Sequence, residues 1–212
     1  MFKPQVFAED RLEVLQGFIN QHPLGLLSSI GTYNKIEANL IPMVLYPNKD
    51  KGVLRCHLTR MNSQITSLKD SQEVLVVFSG ADGYVSPVLY QTKKLHGKAV
   101  PTWNYSMVQV RGKPTIIDDS KWILQQIEDM TNTLEAKSSH PWNVEDAPED
   151  YIQSQLKLIV GLEISITNIE GKFKVSQNHP DENRNGVEKH FREIGNEEMA
   201  DYVLNRGAIK KN

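Results

Sequence analysis

Leu12, Leu15, Phe18 and Ile19 recur at the spacing of an amphipathic helix, behind a capping box at Asp10 and Glu13 and ahead of the stop at His22-Pro23. The pattern predicts a helix of about three turns. The period then changes. Residues 24–30 are apolar, 31–35 form a turn cluster and 36–45 are apolar again, which predicts a β-hairpin. A polar turn over 47–52 leads to a third strand over 53–58, closed by the polar run Thr59-Arg60-Met61-Asn62-Ser63-Gln64. A short helix over 65–69, capped by Asn62 or Ser63, precedes a β-branched fourth strand over 73–78. Residues 80–100 read as loop and 105–117 as a long strand. A helix over 121–137 follows, capped by Asp118 or Asp119, with Trp122, Leu124, Ile127, Met130 and Leu134 as its apolar side. A loop through His140-Pro141-Trp142 and Pro148 leads to another short helix. Strands over 158–169 and 172–177 are joined at Glu170-Gly171. Helical stretches near 187–194 and 197–205 and a frayed Lys210-Lys211-Asn212 tail complete the chain.

The strands come in hairpins instead of alternating with helices, so the fold class is mainly β (α+β), and a closed antiparallel barrel fits better than a doubly wound sheet. The expected division is a domain over 1–178 and a C-terminal helical extension over 179–212. At 212 residues the chain suits one large domain, or one domain with an appendage. Its 24 Lys and Arg against 26 Asp and Glu leave a net charge of −2, which weighs against a chain whose main work is gripping nucleic-acid phosphates. Cys56 is the single cysteine, and no stretch approaches the roughly 20 apolar residues of a membrane span. The amino terminus shows no apolar run with a small-residue cleavage site, so the expected location is cytoplasmic.

The six histidines, at 22, 57, 96, 140, 179 and 190, lack metal-ligand spacing, so no metal site is expected. The glycine-rich dinucleotide fingerprint, the nucleophile elbow and the phosphate-loop pattern are absent too. Cys56 and His57 adjoin, but neighbours on a strand point to opposite faces and cannot share a proton, so Cys56 reads as a packed thiol. His57, at a strand end before a polar cluster, faces either a ligand or the protein. Arg60, Asn62, Ser63 and Gln64 couple that strand end to a helix start. A guanidinium fork and backbone N–H groups there suit a phosphate; equally, Asn62 serves as a cap and Arg60 as a solvated charge. In Val100-Pro101-Thr102-Trp103-Asn104-Tyr105 two aromatics and an amide sit behind a proline in a loop. That run suits either a flat conjugated ligand or a plug over a barrel mouth. Lys93, Lys94 and Lys98 are the one local basic feature, either a solvated loop or a phosphate contact.

Ordered blocks then carry a resemblance. They are Cys56-His57-Leu58-Thr59-Arg60-Met61-Asn62-Ser63-Gln64, Val74-Leu75-Val76-Val77-Phe78-Ser79-Gly80, Tyr84-Val85-Ser86-Pro87, Val100 to Tyr105, Ile159-Val160-Gly161-Leu162-Glu163-Ile164 and Phe173-Lys174-Val175-Ser176-Gln177-Asn178. Together they resemble the PaiB family, FMN-binding negative transcriptional regulators of the split-barrel flavoprotein superfamily. The resemblance implies a six-stranded antiparallel split β-barrel with peripheral helices, and a homodimer holding FMN in two grooves at the subunit interface. By analogy with pyridoxamine-phosphate-oxidase-like proteins, the FMN phosphate would lie near Arg60, Asn62, Ser63 and Gln64, with His57 beside it. Tyr84, Ser86, Trp103 and Tyr105 would surround the ring system or the groove, and Ser176 and Gln177 would reach that groove from either subunit. The chain departs from the family at Asn39 and Asp82, where histidines are usual, at Ile65, where an aromatic is, and at Leu89, where a tryptophan precedes Tyr90. The loop over 91–99 is also longer. These changes touch ring stacking and histidine-dependent chemistry and leave the phosphate cluster intact.

The resemblance implies two functions. One is FMN-dependent oxidoreductase chemistry on an unidentified small molecule with an unidentified electron donor, for which His57 and Tyr105 are the acid candidates. The other is negative regulation of transcription, through DNA or indirectly, with flavin as sensor or structural ligand. The net charge and the lack of a helix-turn-helix pattern argue against direct DNA binding. A dimer that only stores FMN is the third.

Overall fold

The computed structural model describes residues 1–47 and 50–208. Asn48 and Lys49 of the polar turn, and the expected tail at Lys210-Lys211-Asn212, lie outside the described residues. In chain order the strands are β1 (Ala8–Glu9), β2 (Leu24–Ile30), β3 (Ile36–Pro42), β4 (Val44–Tyr46), β5 (Val53–Thr59), β6 (Val74–Val85), β7 (Thr102–Ile117) and β8 (Ile159–Lys174). The helices are α1 (Leu12–Gln21), α2 (Gln64–Asp70), α3 (Lys93–His96), α4 (Ser120–Glu135), α5 (Glu149–Leu156), α6 (Asp181–Glu193) and α7 (Glu197–Ala208).

The strands follow one path, β3-β2-β6-β7-β8-β5-β4, with β1 added to β8. The recorded pairings are antiparallel, from Leu24↔Pro42 to Ile30↔Ile36 in the β2–β3 hairpin and from Val53↔Ser165 to Thr59↔Ile159 between β5 and β8. The mainly antiparallel α+β reading therefore holds. The strand count does not: among the described residues there are eight strands where six were expected. The extra two are the two-residue β1 and the three-residue β4. β4 exists because the apolar run over 36–45 is interrupted at Met43, whose N–H leaves the ladder to meet the Pro23 carbonyl at 2.9 Å.

Three further boundaries move. The strand expected to end at 78 continues to Val85, and the strand expected from 105 opens three residues earlier, at Thr102. The break expected at Glu170-Gly171 is absent, because β8 runs unbroken and Gly171 pairs with Glu9 of β1. A Cβ at Gly171 would lie 2.3 Å from Leu15 Cδ2, so this glycine serves close packing and not a turn.

The chain divides into two compact units. Met1–Leu15, Ser79–Val108 and the residues from Glu170 onward form the first, and Gln16–Phe78 and Gln109–Ile169 form the second. In the second unit, Leu54, Cys56 and Leu58 of β5 point inward to a core with Leu27, Val76, Phe78, Val110, Leu162 and Ile164. Each such buried side chain contributes about 1.5–3 kcal/mol by leaving water. Burial pushes the Cys56 thiol up to about 12, consistent with a packed thiol. α4 starts where the Asp119 carboxylate accepts the Trp122 N–H at 2.9 Å, and it covers Gly161, whose missing Cβ leaves room for the Trp122 ring.

In the first unit, Val85, Val108, Phe173, Val187, Phe191 and Val203 form the core, and α6 and α7 pack within it. The Arg206 guanidinium lies 3.5 Å over the Phe173 ring and donates to Glu9 Oε2 at 2.8 Å. Glu9 also accepts from the backbone and side chain of Arg11, a local brace that the capping reading centred on Asp10 did not include.

Candidate functional site

In the second unit, β5 delivers the polar run to α2. Arg60 leaves the strand end with its N–H on the Leu158 carbonyl, and its Nε donates to the Lys157 carbonyl at 2.9 Å. The fork of Arg60 grips Asp118 through both nitrogens, one at 2.8 Å to Oδ2 and the other to Oδ1. The pairing lowers the Asp118 carboxyl below its usual range. Asn62 Oδ1 accepts the Gln64 N–H at 2.9 Å, while Ser63 stands at the N-cap of α2 without a side-chain capping bond.

Gln64 is fully buried. Its Nε2 reaches Leu27 O at 3.2 Å, Ser29 Oγ at 3.1 Å and Glu37 O at 3.3 Å, and its Oε1 accepts from Asn39 Nδ2 at 2.9 Å. The amide thus ties α2 to the β2–β3 hairpin, and Asn39, where the resemblance leads one to expect histidine, is one of its partners. His57 lies on the outer face of β5, where its Nδ1 sits 2.8 Å from Gln126 Oε1 of α4. Gln126 is buried, and its Nε2 has no partner.

A cleft of about 460 Å³ opens beside this turn. Arg60, Lys69 and Asp118 supply its charges, and Ile65, Leu68, Ile116 and Val160 its apolar wall. Lys69 and Asp118 were not among the sequence candidates for cofactor binding. A lysine one helical turn beyond the polar run carries no motif, and Asp118 read only as a cap.

The remaining sequence candidates belong to the first unit. Tyr84 and Trp103, both half exposed, meet edge to face at 6.1 Å, and Trp103 Nε1 donates to Asp82 Oδ1 at 2.7 Å. Tyr105 lies under the Lys172 ammonium at 5.3 Å. Ser86 accepts the Val88 N–H at 3.4 Å and opens the short turn Pro87–Leu89. Ser176, at φ 64°, exchanges hydrogen bonds with the buried Asn104 amide. Gln177 folds back on its own strand, accepting from Val175 N at 2.8 Å and donating to Phe173 O at 2.5 Å. Tyr84 is thereby brought to Trp103, and Ser176 to Asn104, whereas Ser86 and Gln177 spend these groups on nearby backbone. Among the described residues, no group of three His, Cys, Asp or Glu side chains is placed to hold a metal ion, and no helix is long and apolar enough to cross a membrane.

The sequence profile of the family described as "Putative FMN-binding domain" matches residues 1–168. An uncharacterized protein of Emericella nidulans is 36% identical, with 99% of each chain covered. The protease synthase and sporulation protein PAI 2 of Bacillus subtilis is 25% identical over 84% of this chain and 83% of its own. Among solved structures, the FAD and heme binding protein of Mycobacterium smegmatis superposes with a TM-score of 0.58 at 14% identity, covering 78% of this chain and 71% of that one. At that identity the superposition speaks for the fold alone.

Proposed function

The chain belongs to the family of FMN-binding domains, and from that membership we propose that it is a homodimeric split-barrel flavoprotein that binds FMN at the Arg60 turn and uses it in redox chemistry on a small molecule. The PaiB likeness read from the sequence stands with the matched family and the Bacillus subtilis relative.

The observation that carries this reading is the single cleft shared by Arg60 and Lys69. A guanidinium fork and an ammonium suit a phosphate, and apolar walls suit a conjugated ring. The volume, about 460 Å³, lies within the range of small-molecule sites. Arg60 exchanges Asp118 for the phosphate, and the exposed Ser63 hydroxyl stands on the same turn. His57 is held by Gln126 in one orientation beside the turn. When bound, the flavin supplies the electron transfer, and the protein supplies binding, orientation and exclusion of water. In the first unit, the half-exposed Tyr84 and Trp103 rings are the pair best suited to meet a flat partner.

Two further features support the assembly. β3 and β4 are separated by Met43 alone, so read as one bent strand they join the two ends of the strand path into a six-stranded barrel, with β1 as an appendage. The outward face of the β2–β3 hairpin carries Leu24, Leu26, Ile30, Ile36 and Leu40, with Ile36 80% and Ile30 66% exposed. A solvated sheet face is ordinarily polar, so an apolar one marks a surface covered by a partner, here a second copy.

Titration of the wild-type chain and Arg60→Ala with FMN tests the reading. The wild type should hold about one FMN per chain. Arg60→Ala should weaken binding about 10-fold or more, as expected for loss of a charge-assisted hydrogen bond, while Asp118→Asn should tighten it. Equal affinity in all three would remove the cleft from the account. The regulatory alternative predicts salt-dependent retention of DNA that is lost when Lys93, Lys94 and Lys98 are neutralised.

A further inference from the structure

The first unit contains its own cleft, of about 920 Å³, which shares Ser176 with the flavin candidates but is lined elsewhere by Tyr90, Lys174 and His179, which were not among them. Tyr90 is 4% exposed, and its hydroxyl is buried without a hydrogen-bond partner. Nearly all buried polar groups are paired, so an orphaned hydroxyl on a residue that lines a cleft requires a reason. Lys174 lines the same cleft, and its ammonium donates to Thr102 Oγ1 and to the Trp103 carbonyl. An ammonium has three donors, and among the described residues no carboxylate pairs with this one. The lining holds no Asp or Glu, while Lys98, His96 and His179 add basic or neutral donors. His179 stacks on the Tyr90 ring at 4.6 Å, which fixes the tyrosine on the wall. Val100 and Pro101 supply apolar lining.

We infer that this cleft binds a small organic anion, whose carboxylate or phosphate group meets the third N–H of Lys174 while an acceptor atom meets the Tyr90 hydroxyl. Desolvation and the nearby Lys172 charge both lower the Lys174 ammonium pKa, a cost that an incoming anion relieves. No motif announces the site in the sequence. Lys174 and Tyr90 are 84 positions apart and meet only in the folded unit.

The test uses the full chain, saturated with FMN and without it, titrated with inorganic phosphate and separately with acetate, and reads the thermal midpoint. The expected result is a rise in midpoint with at least one probe, whether or not FMN is present. Tyr90→Phe removes an unpaired hydroxyl, so without probe its midpoint should equal or exceed that of the wild type. The rise on adding probe should fall several-fold in Tyr90→Phe and vanish in Lys174→Met. The inference is overturned if neither probe raises the midpoint, or if the rise is the same in all three proteins. It is also overturned if FMN abolishes the rise, because the cleft would then be receiving the flavin phosphate. Loss of FMN binding in Arg60→Ala with the phosphate response intact would separate failure of the flavin site from failure of this one.

Discussion

Gln64 distinguishes a brace from a cofactor ligand, and replacing it with methionine removes the amide while keeping the length of the side chain. In the wild type its Nε2 serves Leu27 O and Ser29 Oγ, both in buried residues, whereas Glu37 is partly exposed and the Asn39 amide is exposed and recovers water. The substitution therefore strands two buried acceptors. At about 1–1.5 kcal/mol for each hydrogen bond lost, the cost is about 2–3 kcal/mol. For a chain of this size that corresponds to a fall of about 4–12 °C in the unfolding midpoint. Thermal unfolding followed by circular dichroism measures it, and FMN titration on the same sample reads the site. A midpoint within a degree of the wild type, together with lost FMN affinity, would refute the brace and make Gln64 a ligand of the cofactor.

Other outcomes follow from the same geometry. Burial pushes the Glu9 carboxyl up, but hydrogen bonds from Arg11 and Arg206 outweigh it and hold the group at about 2, below its ordinary 4.5. The resulting stabilisation, about 3 kcal/mol, is full above about pH 5 and disappears as the pH falls toward 2; Glu9→Gln should flatten that part of a stability–pH curve. Leu26→Asp with Leu40→Asp should convert a dimer to a monomer in sedimentation velocity, and a wild type that is already monomeric would remove the β2–β3 face from the assembly. A Cβ at Gly161 would lie 2.3 Å from the Trp122 ring, so Gly161→Ala should cost about 1–3 kcal/mol in denaturant unfolding, and no cost would mean that α4 yields freely.

Much of the fold was legible because local periodicity and burial agree. α1 and β5 each show one apolar face in the sequence and bury that face in the structure, whereas the apolar residues of the β2–β3 hairpin stay largely exposed and α4 buries Ile123 and Gln126 while Leu134 of its expected apolar side is exposed. Two of the misplaced boundaries share one cause. Gly171 and the Gly80–Gly83 stretch read as turn signals, yet Gly171 admits Leu15 and Gly83 admits Phe191, contacts with residues remote in sequence. Thr102 to Asn104 read as loop behind Pro101, whereas the proline stands just before the first residue of β7. The candidate site was legible at Arg60, where the motif sits. It was not legible at Asp118, 58 residues away, which occupies the guanidinium fork. Nor did the sequence reveal that Gln64 faces inward, since an amide beside a cap reads the same whether it binds a ligand or ties two elements together.

FMN binding at the Arg60 turn is the step on which the proposed function depends. Its most direct test is the visible flavin absorbance of the purified chain after incubation with FMN and exhaustive dialysis, measured beside Arg60→Ala. About one retained flavin per wild-type chain and a marked loss in the variant are expected. A wild type that retains none, or a variant that retains as much as the wild type, would contradict it.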